Sequence, residues 1–340
     1  MTRRSSSVTI RDVAREAGVS VATVSRYINR NAPVSLEVAE RLDKVMTGLR
    51  YMPHAAARHL ASRKTRVVGL LLNNLHNDFF VPLLNGIESV IRQKGYNLII
   101  ATYHANSREH TQPPIGPHNT DGLLVFSDCL TDEDLASLPA SGFPLVLVHR
   151  TPPATLSIPS VTVENVESTQ QLVDHLINVH GRRRILFLRG PIHQDDSIRR
   201  ELGYKNALHA NGIPFDETLV FNGDFERDIA YQVMDDFLGC DRRVEFDAVF
   251  TGDDDAAIGV LKALHKHGLR VPEDISVIGF DDLGFAPFLN PPLTTVRAPT
   301  EKVGQIATGR LFDLLENGPA NGVVVLPTEI IFRRSCGCES

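Results

Sequence analysis

The groups in this 340-residue sequence best suited to chemistry are one arginine, several carboxylates and a few phenyl rings, and they recur at the ends of apolar runs. Asn73, Asn74, His76, Asp78, Phe79 and Phe80 follow VVGLLL, and the stretch GPIHQDDSIRRELGY, which holds Gln194 and Arg200, follows ILFLR. Asp224 and Phe225 follow LVFNG, Asp253 follows DAVFT, and Asp281 and Asp282 follow SVIGF. Such groups bind a sugar or sugar acid through bidentate hydrogen bonds and ring stacking. Paired acids can also do acid-base catalysis, but nothing supplies a matching nucleophile. The sequence also lacks G-x-G, Gly-Lys, G-x-S-x-G and H-E-x-x-H, so dinucleotide, P-loop, hydrolase and zinc-protease signatures are all missing. The reading is therefore a binding protein, with a doubly wound α/β enzyme as the weaker rival.

Each candidate has a competing structural role. Asp253, Asp254 and Asp255 precede a helix, where carboxylates cap amide donors, so two of the three are expected to be structural. Phe79 and Phe80 are adjacent, so one is expected to face the core. His76 and His193 lack a clustered metal-ligand spacing, and Cys336-Gly-Cys338 matches neither a C-x-x-C redox pair nor a zinc pair. No metal and no cofactor is expected.

The elements that must position these groups alternate. VVGLLL is followed by a helical pattern with Leu83, Leu84, Ile87, Val90 and Ile91 on one face, stopped by Gly95, and then by NLIIA. GLLVF, LVLVH, ILFLR, DAVFT and SVIGF continue the series. Continuous apolar strands separated by helices predict parallel sheets covered on both faces, with ligands at the strands' carboxyl ends. About ten such strands exceed one comfortable sheet, so two lobes are expected.

Ahead of this body lies a different region. Residues 1–66 hold 13 Lys and Arg against 5 Asp and Glu, whereas the remaining 274 hold 22 against 36. A basic head on an acidic body is the distribution expected when one end meets a polyanion. Thr9 with Asp12 fits a capping box, Ile10, Val13, Ala14 and Ala17 form an apolar face, and Gly18 stops the helix. Ser20 can cap a second helix that buries Val24 and Ile28 and turns Val21, Ala22, Ser25 and Arg26 outward, which is helix-turn-helix geometry for the major groove. A third helix from Ser35 carries Val38, Leu42, Val45, Met46 and Leu49. Pro53 can open a short segment, His54 to Ala61, whose only large apolar side chain is Leu60. No apolar run approaches the roughly 18 residues of a spanning helix, and no signal-peptide pattern is present, so a soluble, cytoplasmic, nucleoid-associated protein is expected.

The ordered motifs VTIRDVAREAGVSVATVSRYIN and LRYMPHAAARHLASRKTRVVGLLL resemble the DNA-binding head and hinge of the LacI/GalR family of bacterial transcription regulators. The resemblance implies an α/β fold, with an all-α helix-turn-helix head joined to a two-lobed periplasmic-binding-protein-like body with parallel sheets. It implies a head at 1–52, a hinge helix and linker at 53–66, and a body at 67–340. The N-lobe would be about 67–163 with 294–326, and the C-lobe about 164–293 with 327–340. It also implies a homodimer on a palindromic double-stranded DNA operator. Ser20, Val21, Ala22, Ser25 and Arg26 would lie in the major groove, with Ala57 and Leu60 in the minor groove. Arg26 suits guanine, with a phosphate contact as the alternative. The Val21-Ala22 pair is similar to the galactose-repressor branch, which suggests a central CG step.

For the body, the resemblance implies effector contacts from Asp78, Phe79, Arg200, Phe225, Asp253 and Asp281, with Phe80 and Gln194 as lesser candidates. The effector class is expected to be a carbohydrate, with a nucleobase or phosphorylated metabolite as the alternative. Two departures stand out. Where the family has a helix, residues 106–120 hold Pro113, Pro114, Gly116 and Pro117, which would break or remove it. RRSCGCES also carries no heptad repeat for tetramerisation.

Overall fold

A computed structural model describes residues 8–29, 32–51, 64–76, 78–104, 113–240, 245–318 and 321–339. The chain divides into two compact units, Met1–Thr65 and Arg66–Ser340. None of the described helices is long and apolar enough to cross a membrane.

The first unit holds α1 (Ile10–Glu16), α2 (Val21–Asn29) and α3 (Leu36–Gly48). The Thr9 backbone N–H and hydroxyl both donate to the Asp12 carboxylate, at 3.0 and 2.7 Å, which closes the capping box of α1. Ser20 Oγ accepts the Thr23 N–H at 3.1 Å and starts α2. Val13, Ala14, Ala17, Val24 and Leu42 form the buried core, with Tyr27, Ile28 and Val45 packed around it. Burying each large aliphatic side chain contributes about 1.5–3 kcal/mol, so a three-helix miniature core is sufficient to fix the outward face of α2. Ala57 and Leu60 lie outside the described residues.

The second unit alternates strand and helix. Its first part contains β1 (Val67–Leu72), α4 (Phe80–Gln93), β2 (Asn97–Thr102), β3 (Gly122–Phe126), α5 (Asp132–Ala140), β4 (Leu145–Val148) and β5 (Ser160–Val163). Then come α6 (Val166–Asn178), β6 (Ile185–Arg189), α7 (Asp195–Ala210), β7 (Val220–Asn222), α8 (Arg227–Gly239), β8 (Ala248–Thr251), α9 (Asp254–Lys266) and β9 (Ser276–Ile278). β10 (Thr295–Arg297), α10 (Thr300–Asn317), β11 (Val323–Leu326) and β12 (Glu329–Ile331) complete it.

Two sheets result, both parallel throughout. One is six-stranded in the order β11-β5-β4-β3-β1-β2, and the other four-stranded in the order β7-β6-β8-β9. β3, β4 and β5 are buried along their whole length, as a sheet covered on both faces requires. β10 and β12 form a separate antiparallel pair, so the returning chain joins the six-stranded lobe only with α10, later than the expected residue 294. α10 packs along α4 and against β3, β4 and β5. Residues 113–120 contain turns and no helix, and Ile115 is buried beside Gly69 of β1.

Candidate functional site

Both sheets end at one cavity of about 300 Å³ within the second unit. From the six-stranded lobe come Asn73 and Asn74 after β1, Phe79 and Phe80, His104 after β2, and Phe126, Ser127 and Asp128 at the end of β3. From the four-stranded lobe come Pro191 and Gln194 after β6, Asp196 and Arg200 of α7, Asp224, Phe225 and Glu226 after β7, Ile229, Asp253 after β8 and Asp281 after β9. Nearly all follow a strand's carboxyl end, the position where open parallel sheets bind ligands.

The apolar wall is aromatic. Phe79, Phe80 and Phe126 meet in mutual edge contacts, with ring centroids 5.3–5.8 Å apart, and His149 stacks edge-on against Phe79 at 5.4 Å. Both Phe79 and Phe80 pack into the core, where one was expected to, and both also line the cavity. Opposite, the Phe225 ring lies against Gly190 and Gly252. A Cβ at Gly190 would overlap the ring, and one at Gly252 would sit 2.8 Å from it. Phe225 itself has φ +59°, so its backbone is held in the left-handed region that aims the ring inward.

The polar floor is a buried network. Arg200 Nε donates to Asn165 Oδ1 at 2.9 Å, Nη1 to the Gly252 carbonyl at 2.6 Å and Nη2 to Asp281 at 3.3 Å, and its guanidinium stacks on Phe280 at 3.7 Å. Arg200 therefore borders the cavity with most of its fork already engaged, and acts as an anchor between elements. His149 Nδ1 lies 2.8 Å from Asp196, which also accepts the Asn165 amide at 2.9 Å. His149 follows β4 and Asp196 lies in the first turn of α7, so this pair links the two lobes. Burial pushes Asp196 up, but His149, Arg200 and Asn165 outweigh it and hold the carboxyl below its usual range.

Asp253 Oδ1 caps α9 by accepting the Ala256 N–H at 2.9 Å, and the same side chain borders the cavity. Asp254 and Asp255 are structural. Asp254 accepts the Thr295 hydroxyl at 2.6 Å and the Leu283 N–H at 2.9 Å, and Asp255 is paired with Arg227. Burial pushes Asp253 well above the usual range, and the neighbouring Asp281 adds to it. Burial raises Asp281 too, against the pull of Arg200. Asp78 is the exception among the expected residues. It is exposed and borders an adjacent depression with Val81, Asn85 and Asp282. It stands at the start of α4, where the chain turns its carboxylate outward while Phe79 and Phe80 turn in.

The raised carboxyls give a pH prediction. Asp253 and Asp281 hold protons more readily in the folded chain than in the unfolded one, where an aspartate titrates near pH 3.9. Their contribution to stability is complete below that unfolded value and is lost as pH rises through the higher folded value. Asp196, with the opposite shift, contributes above the unfolded value and loses its contribution as pH falls through the lower folded one. Stability against heat should therefore fall as pH rises above the unfolded aspartate value of about 3.9, and Asp253→Asn, which keeps the cap, should flatten that fall. An unchanged slope in the variant would remove Asp253 as its source.

Ser127, Asp128, His104 and Glu226 were not among the expected contacts, although the strand-end rule that found Asp253 applies equally to GLLVF and NLIIATY. Asn73 Nδ2 donates to Asp128 at 2.7 Å, which fixes both at the rim. Asp196 lies four residues before Arg200, one helical turn away on the same face. In the first unit, α2 exposes Val21, Ala22 and Arg26, with Ser25 half-buried and Ser20 capping.

A sequence model of bacterial regulatory proteins of the lacI family matches residues 9–54, and one of a periplasmic binding protein-like domain matches residues 173–336. Catabolite control protein A of Priestia megaterium is 33% identical over 332 residues, which cover 96% of this chain and 99% of its own. The chain belongs to the LacI family. The solved complex of the transcriptional regulator CelR with cellobiose matches with a TM-score of 0.68 and 30% identity, over 96% of this chain and 99% of that one. The lac repressor dimer bound to operator and an anti-inducer matches with a TM-score of 0.79 and 26% identity, over 97% and 99%. This LacI-family member is a DNA-binding transcription regulator, not an enzyme.

Proposed function

We propose that this LacI-family regulator is a repressor that binds a palindromic operator as a homodimer and is switched by a neutral carbohydrate in the cavity between its lobes. The cavity carries the reading. Its rings from Phe79, Phe80, Phe126 and Phe225 suit the faces of a sugar, and its amide and carboxyl groups suit hydroxyls. Six carboxyl side chains border it, from Asp128, Asp196, Asp224, Glu226, Asp253 and Asp281, against the single and largely engaged Arg200. That balance argues against a sugar acid or a phosphorylated metabolite and for an uncharged polyol. The complex of the related CelR with cellobiose supports the same class.

The proposed switch is a shift between two lobe angles, to which the ligand contributes only through its difference in affinity for them. The His149–Asp196 pair, which spans the lobes, is a contact such a change would remake. Among the described residues, exposed Ile99 and Ile100 on edge strand β2 and Val81 on α4 support pairing of two copies. Val21, Ala22 and Arg26 are assigned to the major groove, and Leu60 of the hinge segment to the minor groove.

The test is fluorescence anisotropy of an inverted-repeat duplex against a scrambled one, with and without a panel of neutral sugars, sugar phosphates and nucleobases. One neutral sugar should change specific affinity by tenfold or more. Arg26→Ala should cost the inverted repeat about ten- to a hundredfold while sparing the scrambled duplex. A response confined to a phosphorylated compound or a nucleobase refutes the ligand class, and equal binding of both duplexes refutes the operator.

A further inference from the structure

Far from that cavity along the chain, the Cys336-Gly-Cys338 segment does not lie apart from other reactive groups. Its sulfurs meet two imidazoles, His175 in the last turn of α6 and His180 just beyond it, and one donor atom from each of the four residues lies within 4.8 Å of every other. His175 Nε2 and His180 Nε2 are 3.1 Å apart. Cys338 Sγ is 3.4 and 3.6 Å from them, and Cys336 Sγ is 3.9 Å from His175 Nε2. All four cysteines of the chain are free thiols.

The spacings among His175, His180 and Cys338 match a specific object, with Cys336 slightly farther out. With zinc–nitrogen distances near 2.0–2.1 Å and zinc–sulfur distances near 2.3 Å, a tetrahedral N₂S₂ site has edges of about 3.3 Å between nitrogens and about 3.6 Å between sulfur and nitrogen. We propose that His175, His180, Cys336 and Cys338 form a structural zinc-class metal site that clamps the C-terminal segment onto α6. The two histidines follow His-x₄-His spacing, within the range found in zinc sites. The cysteines are separated by one residue only. Gly337, at φ +116°, makes that spacing workable, because a Cβ there would sit 2.9 Å from the His180 ring.

The donors are held in place before any ion arrives. Ser276 Oγ donates to the Cys336 carbonyl at 2.8 Å, Ser335 Oγ donates to the Val277 carbonyl at 2.6 Å, and the Thr294 hydroxyl donates to Cys336 Sγ at 3.1 Å. The His175 ring packs on Phe332 at 4.2 Å. Taking up Zn²⁺ would release the two thiol protons and leave a neutral bis-thiolate complex. Four protein donors complete the tetrahedron and leave no position for substrate, so the role is mechanical. Three of the four groups are only partly buried, so the site is accessible for loading.

The untagged full-length protein, purified from zinc-supplemented medium, should carry one zinc per chain by elemental analysis. Cobalt(II) added to the metal-free protein should give the intense visible bands of tetrahedral thiolate coordination. The pair H180N/C338S should lower zinc content at least tenfold and abolish those bands. Chelation should lower the melting temperature of the parent protein by several degrees and leave the variant's unchanged. Zinc below a tenth of an equivalent together with no cobalt bands overturns the site, as does equal metal content in parent and variant. If the double variant does not accumulate, C338S alone, on the partly exposed ligand, is held to the same tenfold criterion.

Discussion

Arg200→Ala is expected to destabilise the second unit by about 3–5 kcal/mol, the cost of removing one partner from a buried charge pair. The reason lies in what Arg200 holds. It is almost fully buried and holds three other pieces of chain: Asn165 in the crossover after β5, the Gly252 carbonyl after β8, and the segment after β9 through Asp281 and the Phe280 ring. Alanine leaves two acceptors and a buried carboxyl without their donor. Arg200→Lys should recover only a minor part, since an ammonium cannot reproduce a planar fork that serves three partners in different directions. Urea denaturation of the parent and both variants measures this directly, and a midpoint change worth under about 1 kcal/mol for alanine would show that the network is not structural. Loss of effector response in Arg200→Ala is expected as well, as a consequence of the collapsed floor.

Gly190→Ala should do the reverse: a large change in ligand binding with little loss of stability. The added methyl occupies the space of the Phe225 ring, which is pressed against Gly190 and Gly252. The ring is the mobile party in that collision, because β6 and its neighbours are buried and fixed. Displaced, it leaves the cavity wall and enters the space of the ligand. Affinity for whichever sugar proves active in the operator assay should fall by about ten- to a hundredfold, the range set by one misfitted apolar contact. The unfolding free energy should move by about 1–2 kcal/mol at most, as a side-chain rearrangement in a partly open site does. Calorimetric titration with unaltered affinity would place Phe225 outside the binding surface.

The two cases show what local sequence carries and what it does not. Thr9 with Asp12, Gly18 and Ser20 state the head's boundaries within a few residues, because capping is a matter of neighbours along the chain. The strand-end rule placed Phe225, Asp253 and Asp281 at the cavity for the same reason, since position relative to a strand is local information. Asp78 borders the adjacent depression and not the cavity, because which side of a turning chain faces inward depends on the packing of Phe79 and Phe80. Arg200 was placed at the site, but nothing in the sequence tells that Asn165, Gly252 and Asp281 converge on it. His149 with Asp196, and His175 with Cys338, are separated by 47 and 163 residues. Pairings over such distances are made by topology, so neither was legible, and the cysteines were left without a role.

The discontinuous six-stranded lobe has a cost during synthesis. β1 to β5 leave the ribosome early, but the helix that covers α4 and the strand that completes the far edge at β5 are encoded after the whole four-stranded lobe. At ordinary translation speeds that gap lasts on the order of ten seconds, during which an apolar helix face and an open strand edge stay uncovered on the nascent chain.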